Sequence, residues 1–132
     1  MFKKISHLFC LGIALSGSQL ASAQEETLLL RNPDISKTHI TFVYGGDIWI
    51  ADKNGQNARR ITTNPGVELN PTFSPDGAKI AFTGNYDGNT DVYTVPIYGG
   101  EPKRITFHPA ADLVRGWLND NEVYFQTARE FE

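Results

Sequence analysis

Cysteine is almost absent from this chain: Cys10 is the only one among its 132 residues. It lies in the N-terminal stretch that we expect to be removed, so the remaining chain would contain no disulfide. Small exported domains often depend on disulfides because their hydrophobic cores are thin. The stability of this chain must therefore come from another source, either a longer chain or a partner.

Nucleophiles and metal ligands are also scarce. After residue 23 the only serines are Ser36 and Ser74, and neither lies in a Gly-x-Ser-x-Gly motif. His39 and His108 have no cysteine or second histidine near them in sequence, whereas a metal site needs several ligands at workable spacing. We expect no catalytic residue, no metal site and no cofactor site in this chain.

One acidic stretch has the beginning of a calcium-binding loop. Asp87, Asn89 and Asp91 alternate as in such a loop, which also needs glycine at its sixth position and a carboxylate at its twelfth. A valine and a tyrosine occupy those positions here, so we interpret the stretch as a hairpin turn. Asp91 also matches Asp47 one repeat earlier, which favours a structural role such as capping a turn.

Charge of one sign is not concentrated anywhere. After residue 23 the chain has 10 basic and 15 acidic residues, and no basic run is longer than two residues. This pattern lacks the basic surface expected of a nucleic-acid-binding protein. The longest apolar run, residues 8–15, is too short to span a bilayer, so we expect no membrane association once that run has been removed.

The N-terminus has the three parts of a secretory signal peptide. Lys3 and Lys4 supply the positive start, residues 8–15 the apolar stretch, and Ala21-Ser22-Ala23 the small-x-small pattern before a cleavage site. We predict a signal peptide at residues 1–23, with cleavage after Ala23. The mature protein would then be exported, and we place it in the periplasm.

A repeat with a period in the low forties dominates the rest of the chain. Arg60-Ile61-Thr62 recurs 44 residues later as Arg104-Ile105-Thr106, and Asp47-Ile48-Trp49 recurs at the same offset as Asp91-Val92-Tyr93. Pro33-Asp34 precedes Pro75-Asp76 by 42 residues. A unit of this length with four strand-like runs is typical of a β-propeller blade.

The second unit predicts a whole blade at residues 69–106, with strands at 69–74, 79–84, 90–95 and 102–106. In the second of these strands Ile80 and Phe82 alternate with Ala81 and Thr83, a period of two that is typical of a strand with one buried face. The first unit covers residues 28–62, and the third, residues 113–132, holds only two strands.

The sequence therefore predicts an all-β fold: about two and a half four-stranded antiparallel blades at residues 24–132. We interpret this as an incomplete β-propeller, a fragment of one with six or seven blades. Because a blade packs against a neighbour on each side, we expect residues 24–132 alone to fold poorly and to aggregate.

Three stretches resemble a known family. Residues 73–82, containing Ser74-Pro75-Asp76-Gly77, resemble the Pro-Asp-Gly-type, WD-like propeller repeat together with residues 86–93 and 99–106. Residues 28–49 look like the opening of tricorn-type serine proteases, and residues 105–117 look like the junction of their second and third blades. The resemblance covers residues 28–129.

In that family, the resemblance implies, propellers act as a gate or filter for peptides, and a second propeller, a PDZ-like domain and the catalytic domain follow. No catalytic residue of the family maps onto this chain, so whether it belongs to an enzyme stays open. The resemblance implies peptide or protein partners bound through the propeller, and a possible homo-oligomer of the full-length parent.

Two alternatives remain. The chain could be a non-catalytic binding module resembling the Tol-Pal translocation protein, although those proteins carry an α/β domain between signal and propeller. Here the first strand is predicted about four residues after the cleavage site. The chain could also be the propeller of a prolyl-oligopeptidase-like hydrolase. Sequence beyond residue 132 would distinguish these possibilities.

Overall fold

The computed structural model describes residues 29–130, so the predicted signal peptide lies outside the described residues. The described part contains ten β-strands and no helix, and so no helix that could cross a membrane. The strands are β1 (Arg31–Ile35), β2 (His39–Tyr44), β3 (Asp47–Asp52), β4 (Arg59–Arg60), β5 (Val67–Phe73), β6 (Lys79–Tyr86), β7 (Asn89–Pro96), β8 (Lys103–Arg104), β9 (Asp112–Asn119) and β10 (Glu122–Thr127).

The strands form three antiparallel sheets, which we call blades 1, 2 and 3. Blade 1 has the order β1-β2-β3-β4, blade 2 the order β5-β6-β7-β8, and blade 3 contains β9 and β10. The first strand of each blade packs against the first strand of the next, so the sheets fan out from a common inner edge. This is the arrangement of a β-propeller, and it confirms the predicted fold class.

The hairpin between β6 and β7 is tighter than predicted. Its turn consists of Asp87 and Gly88 alone, with φ angles of 53° and 81°. Two positive φ angles make a type I′ turn, whose twist matches that of the flanking strands and for which Asp-Gly is well suited. The strands consequently continue to Tyr86 and resume at Asn89, residues that we had predicted to lie in the turn.

The first repeat is aligned with the second differently from our prediction. Ile35 pairs with Ile40 in blade 1 as Phe73 pairs with Ile80 in blade 2. Pro33 therefore corresponds to Pro71, and the match of Pro33-Asp34 to Pro75-Asp76 was wrong. The error arose because the turn after the first strand is two residues longer in blade 2, which brings a second Pro-Asp pair into a similar sequence position.

Both faces of β6 are buried, whereas the alternating pattern predicted only one buried face. Blade 2 lies between two neighbours, and small Ala81 and Thr83 on one side of β6 allow blade 3 to approach closely. Ile80 and Phe82 on the other side pack against blade 1. The junction of blades 1 and 2 buries Val43, Ile48, Ile50, Ile61, Phe73, Ile80, Phe82, Tyr93, Val95 and Ile97.

The outermost strands β4 and β8 are only two residues long, so the strand predicted at 102–106 is shorter than expected. Backbone pairing of β4 and β8 with the neighbouring strand ends before Thr62 and Thr106, because the threonine hydroxyl, and not a backbone carbonyl, accepts the hydrogen bond from the next amide of that strand. The Ile48 amide donates to Thr62 Oγ1 at 2.9 Å, and the Val92 amide donates to Thr106 Oγ1 at 3.0 Å.

Candidate functional site

The inner edge of the three blades forms a continuous surface. A groove of 240 Å³ runs along it and is lined by Asn32, Pro33, Asp34, Asn70, Pro71, Thr72, Val114 and Arg115. The groove spans all three blades, so its shape depends on how the blades are joined. It is the feature that a propeller would offer to a ligand passing along its axis.

Two asparagines join blades 1 and 2 in this groove. Asn32 and Asn70 have φ angles of 48° and 53°, and each precedes a proline at an irregularity in strand pairing. Asparagine tolerates this left-handed conformation better than most residues. Asn32 Nδ2 donates to Asn70 Oδ1 at 3.0 Å, so the two irregularities hold each other in register.

Two arginines project from the inner strands and leave cationic groups at the surface. Arg31 in β1 and Arg115 in β9 are exposed. Arg115 Nη2 donates to Gln126 Oε1 at 2.6 Å, and Arg31 lines a second groove, of 340 Å³. Val67 and Leu69 in the second groove are 55% and 37% exposed. The inner edge thus combines cationic donors with apolar surface.

A buried carboxyl lies where blade 1 meets blade 2. Glu68 is fully buried and accepts hydrogen bonds from the Ile48 amide at 2.9 Å, from the Thr62 hydroxyl and from the Tyr86 phenol. Burial raises the pKa of Glu68 above its ordinary value, although these three hydrogen bonds act in the opposite direction and Asp47 adds to the rise.

The equivalent carboxyl between blades 2 and 3 has a cationic partner. Asp112 lies 44 residues after Glu68, and its Oδ2 accepts a hydrogen bond from Arg129 Nη2 at 2.6 Å. Burial alone would raise the pKa of Asp112. The nearby hydroxyls of Thr127 and Thr106, together with the hydrogen bond and positive charge of Arg129, outweigh burial, so the pKa of Asp112 lies below the ordinary value.

The repeated aspartates form ion pairs within their own blades. Asp91 is fully buried and accepts from Arg104 at 2.6 Å and from the Thr106 hydroxyl at 3.2 Å. Asp47 pairs with Arg60 at 3.1 Å in a more exposed position. These contacts give the two aspartates the structural role expected from their recurrence.

The sequence analysis identified Thr62 and Thr106 as repeated residues, but it did not single out Glu68 or Asp112. A signal was available, since the same 44-residue offset that relates the aspartates also relates Glu68 to Asp112. It was missed because Glu and Asp differ in length and, apart from Leu69 and Leu113, the adjacent residues differ between the two strands.

Comparison with known proteins identifies the family. The sequence profile of the tricorn protease N-terminal β-propeller domain matches residues 27–132. The chain belongs to this family. It is 35% identical over 95 residues to tricorn protease homolog 1 of Streptomyces coelicolor, an alignment that covers 71% of this chain and 9% of that protein.

One solved structure agrees with the family assignment, and a second agrees with the fold. A crystal structure of the tricorn protease superposes with a TM-score of 0.64 and 34% identity, covering 74% of this chain and 10% of that one. A TolB structure from Agrobacterium tumefaciens superposes with a TM-score of 0.59 and 22% identity, covering 67% of this chain and 34% of that one, and so shows a shared fold. The chain spans about a tenth of the length of these two tricorn proteins, and 51% of a tricorn-like protease N-terminal subunit from Sulfurisphaera tokodaii, to which it is 35% identical over 101 residues.

The residues considered for catalysis lie in local turns of this tricorn-type propeller. Ser74 Oγ bonds to Asp76 at 2.5 Å and to the Lys79 amide at 3.0 Å. Ser36 Oγ bonds to the backbone of His39, and not to its ring. The geometry therefore assigns both serines to turn formation.

The acidic stretch and the remaining histidine are also engaged locally. Asn89 Nδ2 donates to Asp91 at 2.8 Å and to the His108 carbonyl at 2.9 Å, so an amide nitrogen and not an oxygen faces the carboxylate. His108 Nδ1 accepts from the Ala110 amide at 3.0 Å. Within residues 29–130, no three His, Cys, Asp or Glu side chains lie close enough together to hold a metal ion.

Proposed function

We propose that this chain is the N-terminal propeller part of an exported, tricorn-like serine peptidase. In this role it gates or filters peptides for a catalytic domain that lies elsewhere in the protein. The observation that carries the proposal is the inner-edge groove within a propeller of this family, with cationic and apolar side chains exposed along it.

The chemistry of the inner edge suits an extended peptide. Arg31 and Arg115 can donate to backbone carbonyls, to acidic side chains or to a terminal carboxylate. Val67 and Leu69 can contact apolar side chains of the same peptide. Contacts of this kind are sequence-tolerant, which is what a filter that sorts by length and extension requires.

Export and assembly form the second part of the proposal. Export is supported by Lys3 and Lys4, the apolar run at residues 8–15 and Ala21-Ser22-Ala23 in the sequence. We expect the mature protein in the periplasm, with the propeller acting within a homo-oligomer of the complete protein. Size-exclusion chromatography with light scattering on the native protein tests the oligomer.

Steady-state kinetics of the complete native protein tests the filter. The double variant Arg31→Gln/Arg115→Gln removes both inner cations, and Lys103→Gln removes an exposed outer one as a matched control. We expect kcat/KM for long peptides to fall about tenfold in the double variant, the equivalent of losing ~1.4 kcal/mol of charge-assisted bonding. A dipeptide substrate should be hydrolysed at the same rate by all three proteins.

Equal losses for long and short substrates would contradict filtering by the inner edge. Absence of any peptidase activity from the complete protein would instead favour the non-catalytic binding module.

A further inference from the structure

Two equivalent polar clusters join the blades but differ in charge. At the first junction, Thr62 and Tyr86 donate to the buried carboxyl of Glu68. At the second junction, Asp112 occupies the position of Glu68, and Arg129 occupies the position of Tyr86, 43 residues later. A neutral phenol therefore stands where the other junction has a cation.

Within residues 29–130, the ion pairs involve other carboxylates, and no cation forms a salt bridge with Glu68. Asp47 of β3 is the charged group that acts on Glu68, and it adds negative potential although Arg60 of β4 pairs with it. Arg31 of β1 and the aliphatic Val43 of β2 line the 340 Å³ groove that Glu68 also lines. Tyr93 of β7 packs on Tyr86 with ring centroids 4.7 Å apart and shields the phenol further.

We propose that the Glu68 cluster makes the junction of blades 1 and 2 a proton-linked joint, held closed by the neutral carboxyl and loosened when that carboxyl ionises. An ionised carboxylate in this position is buried without a counter-ion, which is costly. Glu68 and Arg31 line the same groove, but the Glu68 side chain is fully buried. The ionised carboxylate gains stability if water or Arg31 comes into contact with it, and we expect that contact to move the two blades apart at the inner edge. Asn32 and Asn70 join the same two blades and line the 240 Å³ groove. A movement of blade 1 relative to blade 2 therefore changes the shape of that groove.

The sign of the effect follows from the direction of the pKa shift. A carboxyl whose pKa is higher in the folded than in the unfolded protein stabilises the folded state fully below the unfolded value. That contribution is lost as the pH rises through the folded value. For Glu68 this loss of stability begins near its ordinary pKa of 4.5 and continues as the pH rises. Asp112 behaves oppositely, since its contribution is lost only as the pH falls below 3.8.

Hydrogen exchange compares the two joints within one molecule. The amides of Ile48 and Val92 donate to equivalent threonines, one at each junction. We expect the protection of the Ile48 amide, corrected for intrinsic exchange, to fall relative to that of Val92 as the pH of the complete native protein is raised from about 4 to 8. We expect the ratio of the two protection factors to change by about tenfold over this range.

Two variants test the assignment to Glu68. Glu68→Gln keeps the shape and an acceptor oxygen but cannot titrate, so the protection ratio should become independent of pH. Tyr86→Phe removes a hydrogen bond that lowers the pKa, so the midpoint should move to higher pH. A ratio that does not vary with pH in the wild type overturns the proposal. So does a Tyr86→Phe variant whose midpoint is unmoved, and this second variant remains informative if Glu68→Gln fails to fold.

Discussion

At the scale of single residues, equivalent positions in successive blades have different energetic weights. Asp47 and Asp91 both pair with an arginine 13 residues later, but the Asp91 side chain is fully buried whereas that of Asp47 is 20% exposed. Water screens an exposed pair, while a buried pair leaves an uncompensated charge if one partner is lost. Recurrence in sequence identified both residues, but it carried no information about their burial.

Substitution of these aspartates by asparagine should therefore have unequal effects. We expect Asp91→Asn to lower the free energy of unfolding by about 2 kcal/mol, because the buried carboxylate is replaced by a weaker hydrogen-bond acceptor for Arg104 and Thr106, while Arg104 remains 38% exposed to water. Asp47→Asn should cost under about 1 kcal/mol. Chemical denaturation of the complete protein, followed by propeller tryptophan fluorescence, measures both, and equal losses would contradict the assignment.

Gly66 is a second residue with a large predicted effect on stability, because its position admits no side chain. Its φ angle is 146°, and a Cβ atom there would collide with the backbone oxygen of Asn85. Gly66→Ala should lower the free energy of unfolding by about 3 kcal/mol or more. Gly55 also has a positive φ, of 82°, but has open space around it, so Gly55→Ala should cost about 1 kcal/mol. Thermal unfolding of the two variants gives the comparison.

At the scale of elements, the sequence predicted most strands because turn residues and alternation agree in each hairpin. Val67 and Tyr86 were missed because they continue strands past the points where turn-forming residues are concentrated. The two buried faces of β6 were missed for another reason. In the sequence, alternating large and small side chains look like a strand with one buried and one exposed face. Only the packing of the neighbouring blades shows that the face with small side chains is buried too.

The sandwiched position of β6 can be tested by enlarging its small face. Ala81 is fully buried against Val114 of blade 3. Ala81→Leu should overpack the junction and lower the free energy of unfolding by about 2 kcal/mol. Ala78→Leu adds the same side chain at an exposed position of the preceding turn and should change stability by less than about 0.5 kcal/mol. Similar results for both would contradict burial of the second face.

At the scale of the whole molecule, each blade depends on its neighbour. Ile61 at the end of blade 1 is 5% exposed because Ile97 and the Gly99 turn of blade 2 cover it. Ile105, its equivalent at the end of blade 2, is 40% exposed. The last strand of one blade is thus buried by the next blade. The sequence repeat predicts this dependence in general, but it does not show which residues are buried.

This dependence predicts the behaviour of the isolated fragment. Blade 3 presents β10 as an edge strand, with Tyr124 and Leu118 46% and 70% exposed. We expect residues 24–132 expressed alone to self-associate and to unfold without a sharp transition. Analytical ultracentrifugation with a thermal melt checks this, and a soluble monomer that melts cooperatively would contradict it.

We propose that these residues belong to an exported serine peptidase. The most direct test is to purify the native protein from the exported fraction with an antibody to residues 24–132, and to treat it with a fluorophosphonate that labels active-site serines. We predict a labelled serine in the purified material, and none after pre-treatment with an unlabelled serine-protease inhibitor. Native material that is obtained in quantity from that fraction and takes up no label would contradict a serine peptidase.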